Sequence, residues 1–259
     1  MTQKNKKKES IQERLYRIPY HYIPEYDGNN FSQTENINWG FEYISAVHFI
    51  IELLSKRDFK TLLDAGCGDG RLLRELSNSY PKAKVIGVDY SERAVKLASA
   101  MNPDLQFIRA DLNDAGILKS KLKNKRFEIV LSFEVLEHIS PDRCEQFIKN
   151  LSDLCRPECE VILTVPSANT PVQPKHYQHF SLNDLKEMIG KHFNIEKVHY
   201  LNRKNIFTGF LRRLLTNRLF IMNNQGIKNL LYRHYIKKHL HAGREDCKRI
   251  VIVGIKKQS

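Results

Sequence analysis

Leu62-Leu63-Asp64-Ala65-Gly66-Cys67-Gly68-Asp69-Gly70, followed by Gly87-Val88-Asp89, carries the strongest structural signal in the chain. A short apolar run closes on a carboxylate and three alternating glycines. Glycines let the backbone turn sharply and remove the Cβ from the path of a ligand. Asp89 ends a second apolar run 21 residues beyond Gly68. There a carboxylate can accept both hydroxyls of a ribose, at the carboxyl ends of strands in a doubly wound sheet. A dinucleotide-binding loop would read G-x-G-x-x-G, and Arg71 stands where its last glycine belongs.

On either side of it, strands are predicted at Thr61–Asp64, Lys84–Asp89, Leu105–Arg109, Phe127–Phe133 and Glu160–Val165. Helices fit between them at Gly70–Ser79, Glu92–Ala100, Asp114–Leu118 and Pro141–Cys155. Ser91 and Ser140 read as helix caps, with Pro141 in a first turn. A helix over Ser181–Lys191, a strand over Asn194–Leu201 and a final strand over Arg249–Ile255 follow. The expectation is an α/β fold: a doubly wound, mostly parallel, seven-stranded sheet with helices on both faces.

Two additions flank that core. Residues 1–58 comprise a lysine-rich tail, an aromatic and proline-rich segment, and a helix over Phe41–Lys56. The aromatic segment reads as a lid with Tyr20, Tyr22, Tyr26 or Trp39 facing the site; ordinary packing against the sheet is the alternative. The core spans 59–201. Residues 202–248 form a helical insertion before the last strand and tail at 249–259. Ile206, Phe207, Phe210, Leu211, Leu214 and Leu215 fall on one face of its first helix, with Arg212 and Arg213 opposite. A second helix is expected over Ile227–Leu240.

Net charge is +13, and its placement matters more than its size. From residue 201 onward there are fourteen Lys/Arg against two acids, Glu245 and Asp246, whereas the signs balance at nineteen each over 61–200. The insertion therefore reads as a surface for an anionic partner. No apolar run is long enough for a membrane span. The five cysteines are odd in number and scattered, and Cys155 with Cys159 is a poor zinc pattern, which fits a reduced, cytoplasmic chain.

The glycine loop, the acid ending the second strand and Ala110-Asp111-Leu112 after the third together resemble the class I S-adenosylmethionine-dependent methyltransferases, over about Phe59 to Leu201. The resemblance implies S-adenosyl-L-methionine as cofactor. Asp64, Gly66, Cys67 and Gly68 would hold its methionine part, Asp89 and Tyr90 the ribose, Asp111 and Leu112 the adenine, with Phe133 lining the pocket.

Glu134-Val135-Leu136-Glu137-His138 follows the fourth strand, and Lys175-His176-Tyr177-Gln178-His179 follows the fifth. His138, then His179 and His176, are the candidate catalytic bases toward a hydroxyl, since imidazole titrates near neutrality. The competing reading, ranked below it, is a divalent metal on Glu134, Glu137, His138 and His179 or His176. Small-RNA and ubiquinone-pathway O-methyltransferases resemble the chain at E-x-x-E-H and use that motif with a metal. A purely loop-shaping role is the remaining reading and outweighs either of the other two.

With Val165-Pro166-Ser167 and the helical insertion, the pattern looks most like methyltransferases of glycan and lipopolysaccharide biosynthesis. The expected acceptor is an anionic small molecule or glycolipid: a sugar hydroxyl on a nucleotide- or lipid-phosphate-linked glycan. Peripheral membrane contact through 202–248 accompanies that reading. Small-molecule O-methylation of quinone or secondary-metabolite type, RNA 2′-O-methylation with a metal, and non-catalytic cofactor binding are the alternatives, and nucleic acid ranks below the other partners.

Overall fold

Adjacent residues of one strand explain the layering. Leu62 is buried in one apolar core and Leu63 in the other, so β3 (Thr61–Ala65) is covered on both faces. The computed structural model describes residues 25–27, 30–32, 40–215 and 224–258. Before β3 come a small antiparallel pair, β1 (Glu25–Asp27) and β2 (Asn30–Ser32), and the helix α1 (Gly40–Leu54).

After β3 the chain alternates through α2 (Arg71–Ser79), β4 (Lys84–Asp89), α3 (Glu92–Met101), β5 (Gln106–Arg109), α4 (Ala115–Leu122) and β6 (Phe127–Phe133). It continues through two 3₁₀ turns, α5 (Cys144–Asp153), β7 (Cys155–Pro166), α6 (Leu182–Ile189) and β8 (Phe193–Arg203). The insertion helices α7 (Ile206–Leu215) and α8 (Gln225–His239) precede β9 (Cys247–Lys256).

The sheet order is β5-β4-β3-β6-β7-β9-β8. β9 runs antiparallel to both neighbours, while β3 to β7 pair in parallel. The mostly parallel seven-stranded sheet expected from the sequence is therefore present. Because β9 opposes both β7 and β8, those two strands point the same way, and the insertion after β8 opens at the sheet edge where β3, β4, β6 and β7 end. The α1–α2 side packs through Ile50, Leu54, Leu73 and Leu76, and the other face through Leu118, Phe147, Ile148 and Leu185.

Local chemistry sets the element ends. Ser91 Oγ accepts from Ala94 N–H at 3.2 Å, and Ser181 with Asp184 forms a capping box ahead of α6. Several expectations need correction. The helix predicted over Pro141–Cys155 opens as a 3₁₀ turn (Pro141–Arg143) and becomes α-helical over Cys144–Asp153; Ser140 stands at its start without a side-chain capping bond. The fifth strand begins at Cys155 rather than Glu160. On α7, Thr208 and Leu211 are buried while Ile206, Phe207 and Phe210 lie exposed, so the apolar stripe named above is covered by the domain only in part. Tyr20, Tyr22 and Trp39 lie outside the described residues, and Tyr26 falls in β1. No helix among the described residues is long and apolar enough to cross a membrane.

Candidate active site

Gly66 and Gly68 both adopt left-handed backbone, with φ of 93° and 53°. A Cβ at Gly66 would also sit 2.3 Å from Val135 Cγ2, so the loop closes against the segment after β6 only with glycine there. A Cβ at Gly68 would meet nothing within 4 Å, which leaves that side of the loop open to a ligand. Gly66 and Cys67 N–H donate to the Val88 carbonyl at 2.7 and 3.0 Å. Gly68 N–H donates to Asp89 Oδ2 at 3.0 Å, and Ser91 N–H to Oδ1 at 2.8 Å. Asp89 thus ties the loop to the end of β4 and keeps its remaining lone pairs at the sheet edge.

Asp64 is 1% exposed, and neither carboxylate oxygen has a partner among the described residues. Burial, then the charge of Asp89, pushes its pKa up to about 7. The Cys67 side chain is buried against Gly87, and burial raises its thiol above the ordinary range, so it faces the sheet as an inert neutral group. Tyr90 projects into solvent beside Asp89. Asp111 accepts from Asn113 N–H at 2.8 Å and pairs with Arg143 at 3.1 Å. Leu112 is buried, and its carbonyl accepts from Asn150 Nδ2 at 2.8 Å. Phe133 meets Tyr43 edge to face at 5.7 Å and lies under the Arg249 guanidinium at 5.6 Å.

The other half of the site is a carboxylate and histidine cluster. Glu134 has left-handed backbone (φ 56°), and its carboxylate pairs with Arg249: Nη2 donates to Oε2 at 3.0 Å, and Nε lies 2.9 Å from Oε1. The Thr164 hydroxyl adds a bond to Oε1 at 3.2 Å. Glu137 is buried, and Oε2 has no partner among the described residues. Burial, then Glu134, pushes its pKa up to about 9, so it is protonated at neutral pH.

The tautomers of the three histidines follow from acceptors alone. His179 Nδ1 lies 2.9 Å from the Thr170 carbonyl, which can only accept, so Nδ1 carries the proton and neutral His179 has a bare Nε2. His176 Nδ1 lies 2.8 Å from that Nε2 and must therefore donate to it. Neutral His176 is left with a bare Nε2. His138 Nδ1 lies 3.1 Å from the Lys175 carbonyl and donates likewise, leaving its Nε2 bare 4.0 Å from Glu137 Oε1. Burial, then His138 and His179, lowers the His176 pKa to about 4, so it stays neutral. Ligand atoms of Glu137, His138 and His176 all lie within 4.8 Å of one another.

The structure brings together His138, His176, His179 and Glu137, as the sequence suggested, but places Glu134 in an ion pair with Arg249 and not in that group. Of the two histidines offered as a fourth metal ligand, His176 faces the cluster, and His179 backs it through a hydrogen bond. Arg249, Asn202, Asn150, Arg143 and Tyr43 support the site without having been singled out. Arg249 lies 115 residues from Glu134, so no local pattern could have paired them; the one available signal was an arginine opening an otherwise apolar strand.

Residues 62–158 match the family model described as a methyltransferase domain. The malonyl-[acyl-carrier protein] O-methyltransferase of Halalkalibacterium halodurans is 26% identical over 139 residues, which is 49% of this chain and 50% of that protein. The mitochondrial ubiquinone biosynthesis O-methyltransferase of Arabidopsis thaliana is 31% identical over 121 residues, covering 45% and 36%. The chain thus spans half or less of the length of these curated relatives. Among solved structures, the N-methyltransferase NodS of Bradyrhizobium japonicum in complex with S-adenosyl-l-homocysteine superposes with a TM-score of 0.55 at 11% identity, over 84% of this chain and 88% of that one. The fold is that of the class I methyltransferases.

Proposed function

We propose, starting from a chain whose residues 62–158 carry a methyltransferase domain, that it is an S-adenosylmethionine-dependent O-methyltransferase acting on a hydroxyl of an anionic acceptor, a sugar on a nucleotide- or lipid-phosphate-linked glycan. The observation that carries the reading is the pair of bare imidazole nitrogens, on His138 and His176, at the sheet edge where the cofactor loop ends.

The residues present fit the cofactor. A buried carboxylate without a partner, at Asp64, calls for a cationic or N–H group, and the methionine end of S-adenosylmethionine brings an ammonium. The open side of Gly68 admits the ligand to the loop, and Asp89 retains acceptor sites for ribose hydroxyls. When bound, the cofactor supplies a methyl on a positively charged sulfur. The chain aligns an acceptor oxygen toward it and excludes water. His138 or His176 accepts the hydroxyl proton at Nε2, each ring held in tautomer by a hydrogen bond from its Nδ1–H. The basic insertion, opening at the same edge, supports an acceptor bearing phosphate.

A second reading rests on the same geometry. Two bare nitrogens beside a buried carboxyl, each ring donating its other N–H, form the arrangement that binds a divalent metal. The ion would be held by Glu137, His138 and His176 and would align acceptor oxygens. Glu137 would then ionise, against the burial that now keeps it neutral.

The test uses purified protein and methyl-labelled S-adenosylmethionine with nucleotide-sugar, lipid and RNA fractions, each with and without chelator. Label in nucleotide sugars or lipid-linked glycans, insensitive to chelator, is expected, as is a drop of about 10²-fold or more in His138→Ala or His176→Ala with cofactor affinity retained. Loss of transfer with chelator establishes the metal reading. Label in RNA alone overturns the acceptor class, and failure to bind S-adenosylmethionine overturns the whole assignment.

A further inference from the structure

The helical insertion has two faces, and one of them is unpartnered among the described residues. On α7 the side bearing Thr208 and Leu211 is buried, whereas Ile206 is 94% and Phe210 61% exposed. These two stand one turn apart and share a stripe. On α8, Ile227 is 46% and Leu230 63% exposed, and with His234 they form a second stripe at four- and seven-residue spacing. The Phe207 ring joins the stripes: it stacks on His239 at 4.8 Å and 19° and lies 5.1 Å from His234. The result is one exposed apolar face over both helices.

That face is bordered by exposed cations. Arg213 follows Phe210 by three residues, and Arg233 and Lys237 follow Leu230 by three and seven. No Asp or Glu occurs anywhere from 201 to 244. The insertion also stands at the acceptor edge of the sheet, where Lys204 Nζ reaches the Asn169 carbonyl at 3.4 Å, on the loop that leads to the histidines.

We propose that the α7–α8 face is a peripheral membrane-binding surface that docks on anionic lipid. Large apolar side chains in solvent, ringed by cations without acids, match an interface of acyl chains beneath anionic headgroups. Each basic residue near such a surface adds to the attraction. A nucleic acid would use the cations but has no use for Ile206 and Leu230, which offer no ring for stacking. The surface is independent of methyl transfer, although it places the acceptor site beside the bilayer.

The experiment is vesicle flotation of the full chain with phosphatidylcholine alone and with phosphatidylcholine containing phosphatidylglycerol. The variants are Ile206→Glu/Phe210→Glu and Arg233→Glu/Lys237→Glu. Expected is binding to the anionic vesicles only, weakened about tenfold or more by either double variant and by added salt, with S-adenosylmethionine affinity unchanged as the control for folding. The proposal is overturned by absence of binding to anionic vesicles, or by full binding of the apolar variant. It also falls if that variant turns a stable dimer into a monomer, or if single-stranded RNA displaces the vesicles and binds the apolar variant as well as the parent chain. Failure to transfer methyl leaves this result untouched, because the readout is binding.

Discussion

Asp64 is held at a cost that a ligand can recover. Its carboxyl titrates near 7 in the fold against an ordinary value of 3.8, chiefly through burial. A carboxyl whose folded pKa is raised binds its proton more tightly in the native state, so ionising it opposes folding. That penalty is absent below about pH 4, grows through pH 4–7 and is complete above 7. Asp64→Asn should therefore raise the melting temperature of the ligand-free protein by several degrees at pH 8 and by much less at pH 4.5, while weakening S-adenosylmethionine binding. Thermal melts at both pH values, with calorimetry for the ligand, check this; equal shifts at the two pH values refute the account. His176 works in the opposite sense. Its depressed pKa makes protonation favour the unfolded chain, so it draws stability down as pH falls from about 6.5 toward 4. His176→Gln should flatten that acid limb in the same melts. Asp64 and Asp89 were legible in the sequence because both sit at strand ends defined by local pattern. The neutrality of Glu137 and His176 was not, since it arises from burial and from neighbours outside their own segments.

The β3–α2 loop and the segment after β6 are separate elements that meet where Gly66 lies against Val135. Gly66→Ala meets both a positive φ and a 2.3 Å approach to a branched side chain. It should cost about 1–3 kcal/mol of stability and reduce cofactor affinity at least tenfold, measured by denaturant unfolding and calorimetry. Preserved affinity would show that the loop tolerates a shift. The glycines of this loop were readable because turn chemistry is local. How far the α7 face is covered was not readable, for the converse reason: helical periodicity names which residues share a face, but not whether the domain supplies a surface for that face to cover.

At the scale of the molecule, the site is tied to its periphery by a buried polar chain. Tyr235 of α8 accepts from Asn202 Nδ2 at 2.7 Å, Asn202 also reaches Ser45 of α1 at 3.1 Å, and Asn202 Oδ1 accepts from Arg249 at 2.6 Å. Arg249 in turn grips Glu134. Arg249→Met leaves Glu134 partly buried without its cation, and should destabilise by about 3–5 kcal/mol, whereas Arg249→Met/Glu134→Gln should recover most of the loss. Chemical unfolding of the single and double variants decides it, and additive losses would mean that the pair is not coupled. A mostly parallel sheet was foreseeable from strand–helix alternation, but this chain was not: its members at 45, 134, 202, 235 and 249 become neighbours only when β9 is seated.

That strand is made after both of its neighbours. β9 fills a slot between β7 and β8, both synthesised earlier, and the 43 residues from 204 to 246 separate it from β8. At ordinary ribosomal speeds of about 5–20 residues per second, roughly 2–9 s pass before β9 begins to emerge. During that interval β7 and β8 each present a bare backbone edge, the kind of edge that recruits foreign strands. A nascent chain stalled in this window leaves Val161 and Leu163 laddered to β6 alone, so demand on chaperones should fall once β9 is made, and deleting Cys247–Lys256 should give aggregation in place of a smaller folded core.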